Sequence, residues 1–493
     1  MTNRASAAFN RHMASGLNRP SGTLDGSDAL RAYNGAWNAR LAAHLLRRAG
    51  FGGTPDEISR FARMQPHDAV ESLIHFPDTS RLPGPDNVYD PFGGLSMTMA
   101  PMAGDRKAFM QQARQQSRAS IMSMQTWWLN RMLTTPAPLQ EKMALLFHGH
   151  FTTAAIQKGI WPRYVWNQNQ LYRNAALGNL RDLTLAVSRD PAMLIYLDNA
   201  SSNKTHPNEN YARELMELFT LGHGNYSEED IRQSARAFTG WSVNRRSGAF
   251  FDNARAHDDG SKTFLGQSGN FSGDDIVRVI YQQPACARFW ASTLLGYFVY
   301  NDPEPELIDQ VAALLRKNDY NLAPVISAIL QSNVFFSPRA YRAIVKSPVE
   351  FVVGIHKTLA MSSIEPTALR PLNQMGQILF YPPNVAGWPG GETWLTSQTM
   401  IARQNYVAAL TNSQMMGQSS WMQALPMDAK SAARAMIATI LQDDAPTFGY
   451  EQLIAYLDGK ATSALRSLSV ENVQERMRGG AYLTMAMPAY QLA

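Results

Sequence analysis

Residues 36–64 read AWNARLAAHLLRRAGFGGTPDEISRFARM, with apolar side chains recurring at helical spacing. The first helix of this stretch is expected to end near Gly50, a glycine of the kind that follows a helix C-terminus. Thr54 then caps a second helix, with Pro55 at its first position and Glu57 three residues after Thr54. In that arrangement the two side chains can each accept the other's backbone N–H, and proline sits where its missing N–H costs nothing.

The same period governs most of the chain. It returns over 106–148, 161–198, 272–337 and 347–379, and two or three further helices follow the loop YPPNVAGWPGGETW at 381–394. Residues 241–266, WSVNRRSGAFFDNARAHDDGSKTFLG, break it with short runs between turn signals and predict a small antiparallel β-hairpin. The fold class is therefore mainly α, a multi-helix globular array with one hairpin insertion. The expected organisation is a flexible N-terminal arm over 1–35, a main helical domain over 36–400 and C-terminal helices over 401–493 packed on it. Residues 82–104, rich in Pro, Gly and Met and without periodicity, read as an irregular flap. No short solenoid-type repeat is present.

Hydrophobic residues make up 45% of the 493-residue chain, enough for a large core rather than a disordered polymer. The formal net charge is only +5, and its Arg and Lys are dispersed, which gives no nucleic-acid surface. The single cysteine, Cys286, rules out an intrachain disulfide framework and any multi-cysteine metal site. It lies in an apolar helical pattern and reads as a buried small residue. No apolar run approaches the roughly 20 residues that span a bilayer, and the N-terminal stretch shows no signal peptide, so the default expectation is a cytoplasmic protein.

Two polar constellations carry candidate chemistry. In NENYARELMELF, with Asn208 as N-cap, helical geometry puts Asn210, Glu214 and Glu217 on one face, beside an apolar face of Tyr211, Leu215 and Leu218. Two carboxylates one turn apart can bind a cation or share general acid–base work. The plainer reading is an acidic first turn favoured by the helix dipole, with Glu209 paired to Arg213. In FHGHFTT, Gly149 separates His148 and His150; if the helix ends there, both imidazoles can converge as neutral nitrogen ligands. The plainer reading there is a pair of core histidines bonded to backbone. Taken together, His148, His150, Glu209 and Glu214 make a two-histidine, carboxylate set for a divalent metal: Zn, Fe, Mn or Cu.

Weaker signals remain. Arg232 and Arg236, one turn apart, can bind an anion or answer the acidic helix; His257-Asp258-Asp259 reads as a polar turn; Trp388 and Trp394 read as packed loop residues. Neither a phosphate-binding glycine loop nor a GxSxG elbow occurs.

Taken in order, HLLRRAGFGGTPDE, FHGHFTT, NENYARELMELFTLGHGNYSEEDIRQSARAFTGW, HDDGSKTFLG and MGQILFYPPNVAGWPGGETWL closely resemble the bacterial "domain of unknown function 1800" family, from about Leu41 to the terminal YQLA. The resemblance implies no family-wide activity. It implies an exported or periplasmic location, from which the missing signal departs, and a partner resembling the alkaline-phosphatase superfamily. It also implies a shared site, because its motifs are built from polar residues rather than apolar periodicity. The functional expectation is a metal-dependent hydrolase that activates water, with Glu214, Glu217, Asn210 and Arg236 in catalytic roles. A redox-active iron or copper oxidoreductase is the alternative chemistry. A non-catalytic binding or assembly protein, its polar motifs forming a structural network, is the alternative class.

Overall fold

One device recurs along this chain to start its helices: proline at the first position. Pro55–Ala62, Pro138–His150, Pro162–Asn174, Pro191–Tyr196, Pro284–Phe298, Pro305–Lys317 and Pro348–Thr358 all begin this way. Thr54 and Glu57 close the expected capping box, and Ser347 and Glu350 close another. A computed structural model describes residues 28–92, 106–244, 247–459 and 473–493. Within them the fold is mainly α. The Ala39–Arg48 helix is capped at Ala49, but the left-handed glycine that turns the chain is Gly52, two residues beyond Gly50. The Gly52 N–H reaches back to the Leu46 carbonyl at 3.0 Å.

The β insertion comprises two small antiparallel hairpins, Trp241–Asn244 with Ala249–Asp252 and Lys262–Phe264 with Gln267–Gly269. The second turns through Leu265 and Gly266, both at positive φ, as a two-residue hairpin turn requires. His257-Asp258-Asp259, read from sequence as a polar turn, lies in a loop between the two hairpins that Arg236 of the Glu228–Ala237 helix ties down through Asp258.

One contiguous apolar core runs from Ala29 to Tyr490. The Pro138–His150 helix threads it, and every residue from Leu139 to His148 is buried. A helix buried all round has no solvated face for charge, so Glu141 and Lys142 must find partners inside. Residues 31–33 lie along 331–333, with Asn333 N–H donating to the Arg31 carbonyl at 2.8 Å. The rest of the expected arm, 1–27, is outside the described residues. So is 93–104 of the expected flap; its earlier part lies on the Arg106–Thr134 helix, where Trp127 Nε1 donates to the Pro83 carbonyl at 2.9 Å. The C-terminal helices are tied in through Arg403, whose Nη2 donates to the Lys346 carbonyl at 2.7 Å. No helix among the described residues is long and apolar enough to cross a membrane.

Candidate functional site

Gly149 does not end its helix. The helix continues to His150 and is capped at Phe151, so the two imidazoles leave it in different directions. His148 enters a box of Trp128, Phe380 and Trp388, each ring centroid 5.4 Å away. Its Nε2 accepts the Phe380 N–H at 2.9 Å, which puts the ring proton on Nδ1. His150 takes the other tautomer: Nε2 faces the Phe219 carbonyl at 2.9 Å and must donate to it. Trp290 packs against this second ring at 4.5 Å. Burial pushes the His148 pKa down to about 3 and that of His150 to about 4, so both rings stay neutral.

Gly149 serves a different purpose from the one its spacing suggests. Gly387, at positive φ in the 381–394 loop, lies so close that a Cβ added there would land on the Gly149 carbonyl oxygen. Thr152 Oγ1 donates to the Val385 carbonyl at 2.5 Å, and Trp388 covers His148. The loop is thus docked on the helix end. Gly387→Ala is expected to cost about 2–4 kcal/mol, combining left-handed strain with overpacking. Gly391, at positive φ with open space around it, provides the control: Gly391→Ala should cost only about 1 kcal/mol. Urea midpoints of the two variants measure the difference.

The acidic helix starts as expected, with Asn208 Oδ1 accepting the Asn210 N–H at 2.9 Å. It is α-helical over Glu209–Glu214 and then widens into a π-helix over Leu215–Thr220. Such widened turns recur at functional sites. Tyr211 and Leu215 are buried on the apolar face. Arg213 pairs with Glu209 at 3.3 Å and with both oxygens of Glu228 at 2.9 Å. Glu217 accepts from the Tyr226 hydroxyl at 2.9 Å and faces His223 Nε2 at 3.3 Å. Glu214 is half-buried and, among the described residues, takes no hydrogen bond and no ion pair. Burial, helped by the charge of Glu217, raises its pKa; Arg213 only partly opposes this. Tyr196 lies close enough for the Glu214 charge to add to its own burial in raising the phenol pKa. Asn210 is exposed.

Arg236 is engaged elsewhere. It clasps Asp258 through Nε at 2.7 Å and Nη2 at 3.0 Å, fastening the Asp-Asp-Gly loop. His257 Nδ1 lies 2.8 Å from the Thr239 carbonyl in the same loop. His148, His150, Glu209 and Glu214 are therefore not gathered at one point. His150 meets the acidic helix at Phe219, through its carbonyl and, at 6.0 Å between centroids, its ring. Among the described residues no three His, Cys, Asp or Glu side chains form a set that could hold a metal ion. The donor set expected for a divalent metal does not fit here.

The family model described as "Protein of unknown function (DUF1800)" matches residues 44–492, nearly the whole chain. The chain belongs to the DUF1800 family. No curated protein and no solved structure matches it. The polar motifs of this DUF1800 chain mostly tie segments together: FHGH to the 381–394 loop, and the Arg236 helix to the His257-Asp258 loop.

Two buried acids of the DUF1800 chain escaped the sequence reading. Glu141 binds Arg131, Arg173 and Trp128. The available signal was an adjacent Glu-Lys pair leading into the apolar run Met143–Phe147. Asp190 caps the Pro191–Tyr196 helix; its Oδ1 accepts the Met193 N–H at 3.1 Å and the Gln168 amide at 2.7 Å. Burial outweighs these bonds and pushes its pKa up to about 7. A folded pKa above the unfolded value of about 3.9 means the stability contributed by Asp190 is greatest below pH 4 and falls as pH rises to about 7. Asp190→Asn keeps both bonds to Oδ1 and loses this titration. Unfolding free energies from pH 4 to 8 should show the wild type losing ground to the variant up to pH 7, then no further.

Proposed function

We propose that this chain is a hydrolase whose proton-transfer groups are Glu214 and Glu217. The observation that carries the reading is the state of Glu214: a half-buried carboxyl with no hydrogen-bond donor among the described residues, raised in pKa by burial and a neighbouring carboxylate. A carboxyl whose pKa is raised above its ordinary value is better suited to general acid catalysis than an unperturbed one. Glu217 follows on the widened turn, held by the Tyr226 hydroxyl, and suits the partner role of base or nucleophile. Asn210, exposed near the start of the same helix, is a candidate substrate hydrogen-bonding group. No step is routed through a metal, because the histidines that would ligate it are turned to Phe380 and Phe219.

The deciding experiment screens the purified chain and Glu214→Gln against ester, amide, glycoside and phosphoester panels. Hydrolysis by the wild type that the variant lacks supports the reading; equal hydrolysis by both sinks it. A separate observation favours the assembly reading: His148, His150, Glu141 and Arg236 are all occupied in holding segments together. That reading expects no turnover on any panel and a partner, such as an alkaline-phosphatase-like protein, retained equally by the wild type and Glu214→Gln.

A further inference from the structure

Away from the acidic helix, the Ala39–Arg48 helix, the segment 342–358 and the segment 489–493 enclose a cavity of about 20 Å³. That is room for one water-sized guest. Arg47, Arg342 and Lys346 line it, with Glu350 as a lining carboxylate. Glu350 is already spent: one oxygen pairs with Lys142 and the other accepts the Ser347 N–H at 2.7 Å. Asp444 accepts Arg342 Nε at 2.9 Å, the Tyr341 hydroxyl and Arg40 at 3.1 Å.

Charge is therefore left over. Arg47 donates through Nη1 to Gln442 at 2.5 Å, but its Nε and Nη2 are sealed from solvent with no acceptor among the described residues. Lys346 is buried; its ammonium reaches one acceptor, the Tyr490 carbonyl at 2.7 Å, and lies 3.8 Å from that residue's ring centroid. Neither cation has an ion-pair partner among the described residues. Arg403, buried behind the Lys346 carbonyl, adds a third positive charge with no ion pair among the described residues. Lysine can shed its proton, but a guanidinium cannot, so the excess at Arg47 persists. Unpaired buried charge is strongly unfavourable, and an anion in contact with these donors would offset it.

We infer that this cavity binds a monatomic, halide-class anion held by Arg47, Arg342 and Lys346, which bolts the N-terminal helix to the 342–358 and 489–493 segments. A cavity of this size fits a single monatomic ion, and the donors select against cations. The test has two arms. Crystals of the full chain grown in sodium bromide should show an anomalous bromide peak among the three side chains; absence of a peak there, with bromide ordered elsewhere, overturns the inference. In solution, the melting temperature should rise with the logarithm of chloride concentration at constant ionic strength set by gluconate, as for a ligand that binds only the folded state. Arg47→Gln should lose that slope while still melting cooperatively. An equal slope in both proteins overturns the inference. If the variant does not fold, the bromide map of the wild type decides alone.

Discussion

Replacing Glu141 by Gln should destabilise the protein by about 3–5 kcal/mol, the range for breaking a buried ion pair by removing one partner. Glu141 is fully buried. Oε1 accepts Arg131 Nε at 3.1 Å and Arg173 Nε at 2.6 Å; Oε2 accepts Arg173 Nη2 at 2.9 Å and Trp128 Nε1 at 2.8 Å. Desolvation alone would raise its pKa, but the bonds and charges of Arg173, Trp128 and Arg131 outweigh it and hold the pKa below the usual glutamate range. Glutamine keeps the shape, yet removes the counter-charge of two buried guanidiniums and turns an N–H₂ toward their donors. A shift in urea midpoint at unchanged slope reads the loss as stability alone. The sign with pH follows from the depressed pKa: the wild type's advantage is present above the unfolded glutamate pKa and fades as pH falls through the folded one. Glu228→Gln, at the exposed Arg213 pair, should leave the midpoint unchanged.

Glu214→Gln is the second large effect, on turnover rather than stability. Removing a general acid typically costs roughly 10²–10⁴ in rate, read as kcat/KM on whichever panel substrate the wild type cleaves. Because the Glu214 pKa is raised, the wild-type rate should fall as pH rises through a value above the ordinary carboxylate range, and the variant should lose that limb. Stability moves the other way. The glutamine removes a like charge beside Glu217, so the urea midpoint should hold or rise. A variant that loses activity together with its midpoint would point to a packing role instead.

How far the sequence reached can be followed through single residues. Thr54 and Glu57 were legible because a capping box involves side chains three positions apart on one chain segment. The pairing of Glu209 with Arg213 was legible for the same reason. Gly149 was misread. Helical patterning runs to His148, and nothing local tells a glycine that ends a helix from one that a distant loop must approach. Gly387, some 240 residues on, is that loop. The π-widening at Leu215–Thr220 was equally invisible, since its residues read as continuous helix.

By itself, then, the sequence determined the α-helical class, helix starts such as those at Thr54 and Asn208, the presence of a β insertion and the family, because each is written in spacings within one segment or in ordered motifs. Tertiary structure alone decided where the polar side chains point. His148 and His150 are two residues apart in the chain but are satisfied by Phe380 and Phe219, on segments far away in sequence. Glu141 is charged because Arg131 and Arg173, from two other helices, surround it. A buried polar group must be paired wherever the fold can supply a partner, and that partner is set by packing between segments, which no local period encodes.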